Sequence, residues 1–472
     1  MDTPVENGIR GNESATPAGR VASVDVFRGL TILVMVFVND LGSGAPAWMH
    51  HLLPGHADGM TLADLVFPTF LCIVGMAVSL AFERASLAGR SWVRRVGHIV
   101  LRTACLLCMG VIEINAGYER TYPPHVWHLL AFASLILALC DPPQQRGLKR
   151  NILLGLRTAG IAGLIVLLAT FRRQPASTEI LFCGPVENWV WLRAGYWGIL
   201  GQIGWAYFTV AMLTLVVGRR REWMMGSLAI LLLLHLSLQP FLPQGVEARK
   251  RRFDLDFPQR FAADVQSDAP RGKLFAHLDD KPWLAGVKPA LVALADGIDE
   301  LGRYVNVADA AGSLAAVTMA GCLLGTILRR DSDVRTHSAR VGWTMTLIVG
   351  LFLAGAIADN FEGINEDAAT ATFCLWSAAI AAAVWLVLYL LVDAAGFRRG
   401  STPLRLAGEN PLVAYLLHPM VIWTIRLAGL EENLLAYTKA GHPWVILGSL
   451  AMAAAVCVLS GLVGRAGLRM RL

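Results

Sequence analysis

Charge is scarce in this sequence. Asp, Glu, Lys and Arg make up 16% of its 472 residues and 55% are hydrophobic, whereas soluble proteins carry about a quarter charged residues. The shortfall is concentrated in long apolar runs, which excludes an ordinary soluble globule and points to membrane spans. The net charge of +6 is not a nucleic-acid footprint, because most basic residues cluster at the ends of apolar runs, as topology determinants do. Cysteine is sparse too. The eight cysteines fall mostly within apolar runs and Cys183 has no obvious loop partner, so disulfides do not organise the fold. Cys105 and Cys108, in a Leu-rich run, read as small packing residues and not as a metal or redox pair. Residues 1–20 lack the apolar centre of a cleavable leader, which leaves insertion to the first apolar run. No internal repeat is visible, and this weighs against an inverted-repeat transporter.

What is present is a series of segments that meet the ~20 apolar residues needed to cross a bilayer as a helix. They lie near 23–41, 61–83, 97–116, 124–140, 151–171, 195–218, 223–240, 309–328, 341–358, 370–393, 408–428 and 443–464. The segment 124–140 is short, and only the Arg219–Glu222 turn separates the pair near 195–240. The expectation is an all-α, polytopic transmembrane bundle of eleven or twelve spans. Residues 1–20 form a flexible cytoplasmic tail and 21–472 a single transmembrane domain. With the N-terminus inside, clusters such as Arg94–Arg95, Arg219–Arg221, Arg329–Arg330 and Arg398–Arg399 face the cytoplasm. The short outer loops then hold only Arg120, Arg172, Arg173, Arg193 and Lys439. This bias places both termini inside. The hydrophilic stretch 241–308 becomes a partly helical outer loop, either a lid or substrate platform or an inert insertion. Gly195, Gly198, Gly201 and Gly204, and Gly321-x-x-x-Gly325, mark close helix packing.

Charges in or beside spans are costly and call for a reason. Asp25 and Arg28 stand at i, i+3 at the inner end of the first span. They form an ion pair reaching the lipid interface, or an anchor for an anionic cofactor. Asn39 and Asp40 end that span on the outer side. The loop beyond carries Trp48, His50, His51, His56 and Asp58, with no Lys or Arg from 29 to 83. Thr61-Leu-Ala-Asp64 is a capping box that starts the second helix, and Asp58-Gly59 is a turn. The histidines lack standard zinc spacing, so no metal is expected. An imidazole with a pKa near ~6.5 is instead a proton acceptor that a carboxylate can orient.

Ser23-Val-Asp25-Val-Phe27-Arg28-Gly29, then Val38-Asn39, then His56-Ala-Asp-Gly59-Met-Thr61-Leu-Ala-Asp64-Leu-Val-Phe67-Pro68 resembles the heparan-α-glucosaminide N-acetyltransferase family. Asp309-Ala-Ala-Gly312, Ile364-Asn365-Glu-Asp and Gly408-Glu-Asn410-Pro-Leu-Val-Ala-Tyr415 resemble later segments of it. The resemblance runs in order from residue 21 to about 464 and is densest over 21–83. It implies a transmembrane acetyltransferase that takes acetyl-CoA from the cytoplasm and delivers acetyl to an amino sugar or glycan end outside. His56 takes the place of the family's catalytic histidine, and Asn39 and Asp64 match its asparagine and aspartate. The Asn39–His56 interval is longer than in the animal enzymes and His56–Asp64 is shorter, which keeps His51 as a second candidate. Where the family has Val-Leu-Gln-Arg, this chain has His125-Val-Trp-His128. Arg28 and His128 are the candidate cofactor contacts, and Asp40, Asp58, Asp309 and Asn365 the candidate acceptor contacts. The family is often dimeric, so a homodimer is an expectation. Ala/Arg/Leu-rich usage points to a bacterial inner membrane.

The chemistry that follows makes His56 the base for the acceptor amine, oriented by Asp64 or Asp58, with the Asn39 amide donating to the developing oxyanion. An acetyl-imidazole intermediate is the other route. A transporter that makes no bond and an acyltransferase acting on a hydroxyl are the rival functions.

Overall fold

The computed structural model describes residues 21–52, 58–116, 122–123, 125–142, 147–172, 180–181, 192–193, 197–218, 220–238, 307–360, 363–397 and 402–470. His56, the tail 1–20 and nearly all of the loop 241–308 lie outside these residues.

Within its described residues each of the twelve apolar segments contains a helix. In chain order the helices are α1 (Ala22–Asp40), α2 (Val66–Leu87), α3 (Trp92–Asn115), α4 (Val126–Ala138), α5 (Leu148–Thr170), α6 (Gly198–Val217) and α7 (Arg221–Leu238). They continue with α8 (Asp309–Thr326), α9 (His337–Ala358), α10 (Ala371–Ala394), the short α11 (Thr402–Gly408), α12 (Pro411–Leu427) and α13 (Trp444–Ala466). A helix satisfies its own backbone, which is what an apolar solvent demands. Among the described residues nine of these helices have the length and composition to cross a membrane, while α4 and α12 are shorter apolar helices. β-structure there amounts to a two-residue pair, Ile180–Leu181 with Leu192–Arg193, and a bridge between Cys140 and Met470.

Burial orders the bundle. α8 is its axis, with 89% of its apolar window buried, whereas α5 and α9 bury 17% and 22% and form the periphery. α8 lies along α2, α3 along α6, and α1 against α11 and α13. The α2–α8 approach is backbone to backbone. A Cβ on Gly75 would lie 1.8 Å from the Thr318 carbonyl oxygen, and one on Gly321 would lie 2.0 Å from that of Cys72. The small-residue face at Gly321 and Gly325 is therefore packing, as its spacing predicts. Gly110 of α3 meets Trp197 and Gly201 at the start of α6 in the same way.

Two helix starts differ from expectation. α2 begins at Val66, not at Thr61, and residues 62–65 form turns ahead of it. α8 opens with a π-helical turn, Asp309–Ser313, broken by non-helical backbone at Gly312.

Candidate active site

The site is assembled at the Asn39 end of α1 by three loop segments, two from the connection between α1 and α2 and one from elsewhere in the chain. Hydrogen bonds tie the first two: Leu62 N–H donates to the Trp48 carbonyl (3.0 Å), and the Thr61 side-chain hydroxyl donates to that of His50. The third loop precedes α10. Asp58 Oδ1 accepts from Ile364 N–H (2.8 Å) while Gly59 N–H donates to the Ile364 carbonyl (2.9 Å). This two-way clasp brings Glu366 to His51, although 315 positions separate them in sequence.

Asp64 bonds to Thr61 as its spacing predicts but caps no helix, because α2 starts at Val66 with Leu65 as its N-cap and no side-chain cap bond. Its Oδ2 accepts from Thr61 N–H (2.8 Å) and from the Thr61 hydroxyl (3.0 Å), across the turns ahead of α2. Its Oδ1 lies 2.8 Å from His51 Nδ1, and Glu366 Oε2 lies 2.8 Å from the same nitrogen. Asp64 is buried at 1% exposure, while His51 faces the opening with 56% of its side chain exposed. Hydrogen bonds to Asp64 and then Glu366 outweigh burial and raise His51 to about 10. Burial pushes Asp64 upward, but bonds from His51, Glu366 and Thr61 prevail and hold it at about 2. Burial raises Glu366, with the His51 bond opposing and Asp64 adding to the rise. At neutral pH His51 is an imidazolium held against the Asp64 carboxylate, with the Glu366 carboxyl as a second acidic group beside it. The three donor atoms lie within 4.8 Å of one another, a His/Asp/Glu set that also has the chemistry to hold a divalent ion.

This triad borders a cavity of about 410 Å³ whose wall also carries Asn39, Asn365 and Tyr415. A second cavity, about 930 Å³, opens toward the other end of α1 and is lined by Asp25, Arg28, Arg84, Arg102, Arg330 and Glu409. Asp25 and Asn39 are about 21 Å apart along the helix at 1.5 Å per residue. Phe70, Leu200, Ile203 and Leu412 belong to both walls. The two cavities meet back to back inside the bundle.

The other sequence candidates divide. Asn365 is in the triad cavity, where its Oδ1 accepts from Ala368 N–H (2.8 Å) and shapes the loop that carries Glu366. Arg28 is in the second cavity, 3.4 Å from Asp25 and 3.2 Å from the Gly408 carbonyl. Asp58 acts through the clasp. Asp40 points elsewhere: it accepts from Tyr437 (2.6 Å) and lies 3.6 Å from His418 Nε2, because successive helix positions project about 100° apart. Asp309 lies at the α8 π-turn, 3.6 Å from His235 Nδ1. His128 is buried in an aromatic stack with its ring 4.3 Å from that of Trp423, and lines neither cavity. Sequence reasoning passed over Glu366, although it directly follows Ile364-Asn365. It also passed over Glu113, which accepts a hydrogen bond from the Tyr415 hydroxyl. A lone carboxylate in the Val111–Asn115 apolar run was the available signal.

Membrane-length helices surrounding two opposed cavities define an integral multi-pass membrane protein, and a histidine–carboxylate triad borders one of the cavities. Comparison with known proteins adds a direction. The model of a domain of unknown function (DUF5009) matches residues 20–172. The chain is 41% identical over 101 residues to the heparan-alpha-glucosaminide N-acetyltransferase of Mus musculus, covering 21% of this chain and 15% of that protein. It is 40% identical over 105 residues to the Homo sapiens protein of the same name, covering 22% and 15%. The similarity therefore spans a small part of either relative.

Proposed function

We propose that the protein is a transmembrane acetyltransferase with His51 as its base. It moves acetyl from acetyl-CoA, held at the arginine-lined cavity, to the amine of a glucosamine-like sugar at the triad cavity. The observation that carries this reading is the His51–Asp64–Glu366 triad set in a cavity that abuts a second, basic one. The N-acetyltransferase names of the relatives agree with it. The basic clusters orient the bundle with the donor cavity cytoplasmic and the triad outside, in twelve spans with both termini inside.

The steps follow from the charges. An amino sugar arrives as an ammonium and is drawn to the carboxylates; a cation beside the imidazolium lowers the pKa of His51, which then loses its proton to water. Nδ1–H donated to a carboxylate fixes the tautomer that leaves Nε2 basic. The ammonium reaches its neutral form by losing one proton to solvent. Its nitrogen then attacks the thioester carbonyl, and His51 takes the second proton as the C–N bond forms. The Asn39 amide donates to the oxyanion, an interaction worth about 3 kcal/mol. The C–S bond breaks, and the thiolate leaves into the donor cavity, where it takes a proton from water.

Labelled acetyl-CoA outside proteoliposomes and glucosamine inside test the reading. For molecules inserted with the donor cavity outward, acetylated sugar should accumulate inside. Sugar that crosses unmodified would make the protein a transporter, and label only on hydroxyl acceptors would make it an O-acyltransferase.

The triad also predicts a pH signature. Because Glu366 helps to raise His51 to about 10, Glu366→Gln should lower that pKa toward 6.5. Neutral imidazole would then persist to lower pH. The acid limb of kcat/KM should shift downward relative to wild type, with ionisation of the amine common to both. An unmoved limb would remove His51 as the titrating base.

A further inference from the structure

The wall between the cavities is thin and wholly apolar. Along α2, Phe67 faces the triad cavity, Phe70 both cavities, and Ile73 the donor cavity. Along α12 the order runs back: Pro411 faces the donor cavity, Leu412 both, and Tyr415 the triad cavity. Leu200 and Ile203 complete the ring from one face of α6 at i, i+3 spacing, and both are buried. The partition is thus about one helical turn thick, ~5 Å. No polar side chain is shared by the two walls.

A thioester that reacts across this partition places its carbonyl near Asn39 and His51 and its sulfur on the donor side. The alkyl tail beyond the carbonyl must then lodge among the ring side chains. We infer that Phe70, Leu200, Ile203 and Leu412 form an acyl-selecting ring that admits a two-carbon acyl group and rejects longer ones. The inference rests on the acetyltransferase reading and deepens it by naming what limits the donor. The ring neither donates nor accepts protons, so its contribution is steric. An added methylene changes discrimination in an apolar pocket by about tenfold or more.

The test compares acetyl-, propionyl- and butyryl-CoA as donors to glucosamine in proteoliposomes. Phe70→Ala should raise the butyryl-to-acetyl rate ratio about tenfold or more over wild type. Phe70→Trp should lower the propionyl-to-acetyl ratio. Both are ratios within one preparation, so a partly folded sample leaves them unchanged, and Leu412→Ala provides the same test if Phe70→Ala does not fold. Wild-type ratios in variants that still transfer acetyl overturn the ring while sparing the acetyltransferase reading. Wild-type protein that transfers no acyl group from any donor overturns both.

Discussion

Replacing His51 with alanine is expected to lower acetyl transfer by about 10³-fold, within the 10²–10⁴ that a positioned general base contributes. The loss should be of chemistry and not of fold. Asp64 keeps its bonds to Thr61, and the Asp58–Ile364 clasp does not pass through the imidazole. Removing the imidazolium leaves Asp64 and Glu366 facing each other, and two adjacent carboxyl groups can relieve their repulsion by sharing a proton. Transfer from labelled acetyl-CoA, measured beside the melting temperature of the detergent-solubilised protein, separates the two effects. His56→Ala run in parallel is expected to retain activity within a few-fold. If His51→Ala stays near the wild-type rate while His56→Ala loses it, the base is His56.

The second large effect concerns the scaffold. Gly75→Val is expected to abolish the folded protein. The Cβ alone would meet the Thr318 carbonyl oxygen at 1.8 Å and the Cys322 nitrogen at 2.6 Å, and both are backbone atoms that cannot rotate away. Overpacking a core that can still adjust costs about 1–3 kcal/mol. Here α2 and α8 must separate, and the loss should exceed that range. Gly350→Val is the matched control, since a Cβ there meets nothing within 4 Å on the peripheral α9. Monodispersity on size exclusion and the melting transition report the outcome. A Gly75→Val protein that elutes and melts like wild type would show that the α2–α8 contact is not close-packed in solution. The variant bears on the site because α2 carries Phe67 and Phe70, and Asp64 lies two residues before its first turn.

Much of the architecture was legible because it is written locally. Apolar runs specify helices where the backbone must satisfy itself, and small residues four apart specify close approach, as at Gly321 and Gly325. The Asp64–Thr61 bond was legible because the two residues are three apart, but the helix start it was read as marking lies at Val66. What periodicity could not convey is where a helix stops being regular. Asp64 bonds back to Thr61, yet the helix starts only at Val66, and the Thr61 hydroxyl also reaches the His50 carbonyl.

The site itself was half legible. Asn39, His51 and Asp64 fall within one stretch of sequence, so their common loop announced them as a polar group. The same crowding made His51 and His56 hard to separate, because a loop histidine carries no local mark of what it will face. Glu366 had no mark at all. It joins through the Asp58–Ile364 clasp, a contact between segments some 300 residues apart, and such pairings depend on the packing of α1, α2 and α10 as a whole. Asp40 shows the converse: adjacent to Asn39 in sequence, it turns toward Tyr437 and His418. The scarcity of charge determined by itself that this chain lives in a membrane as helices, because apolar solvent permits little else. Which of its few charges meet, and on which side of a one-turn apolar wall, was decided only by tertiary structure, because those contacts are set by helix rotation and loop closure.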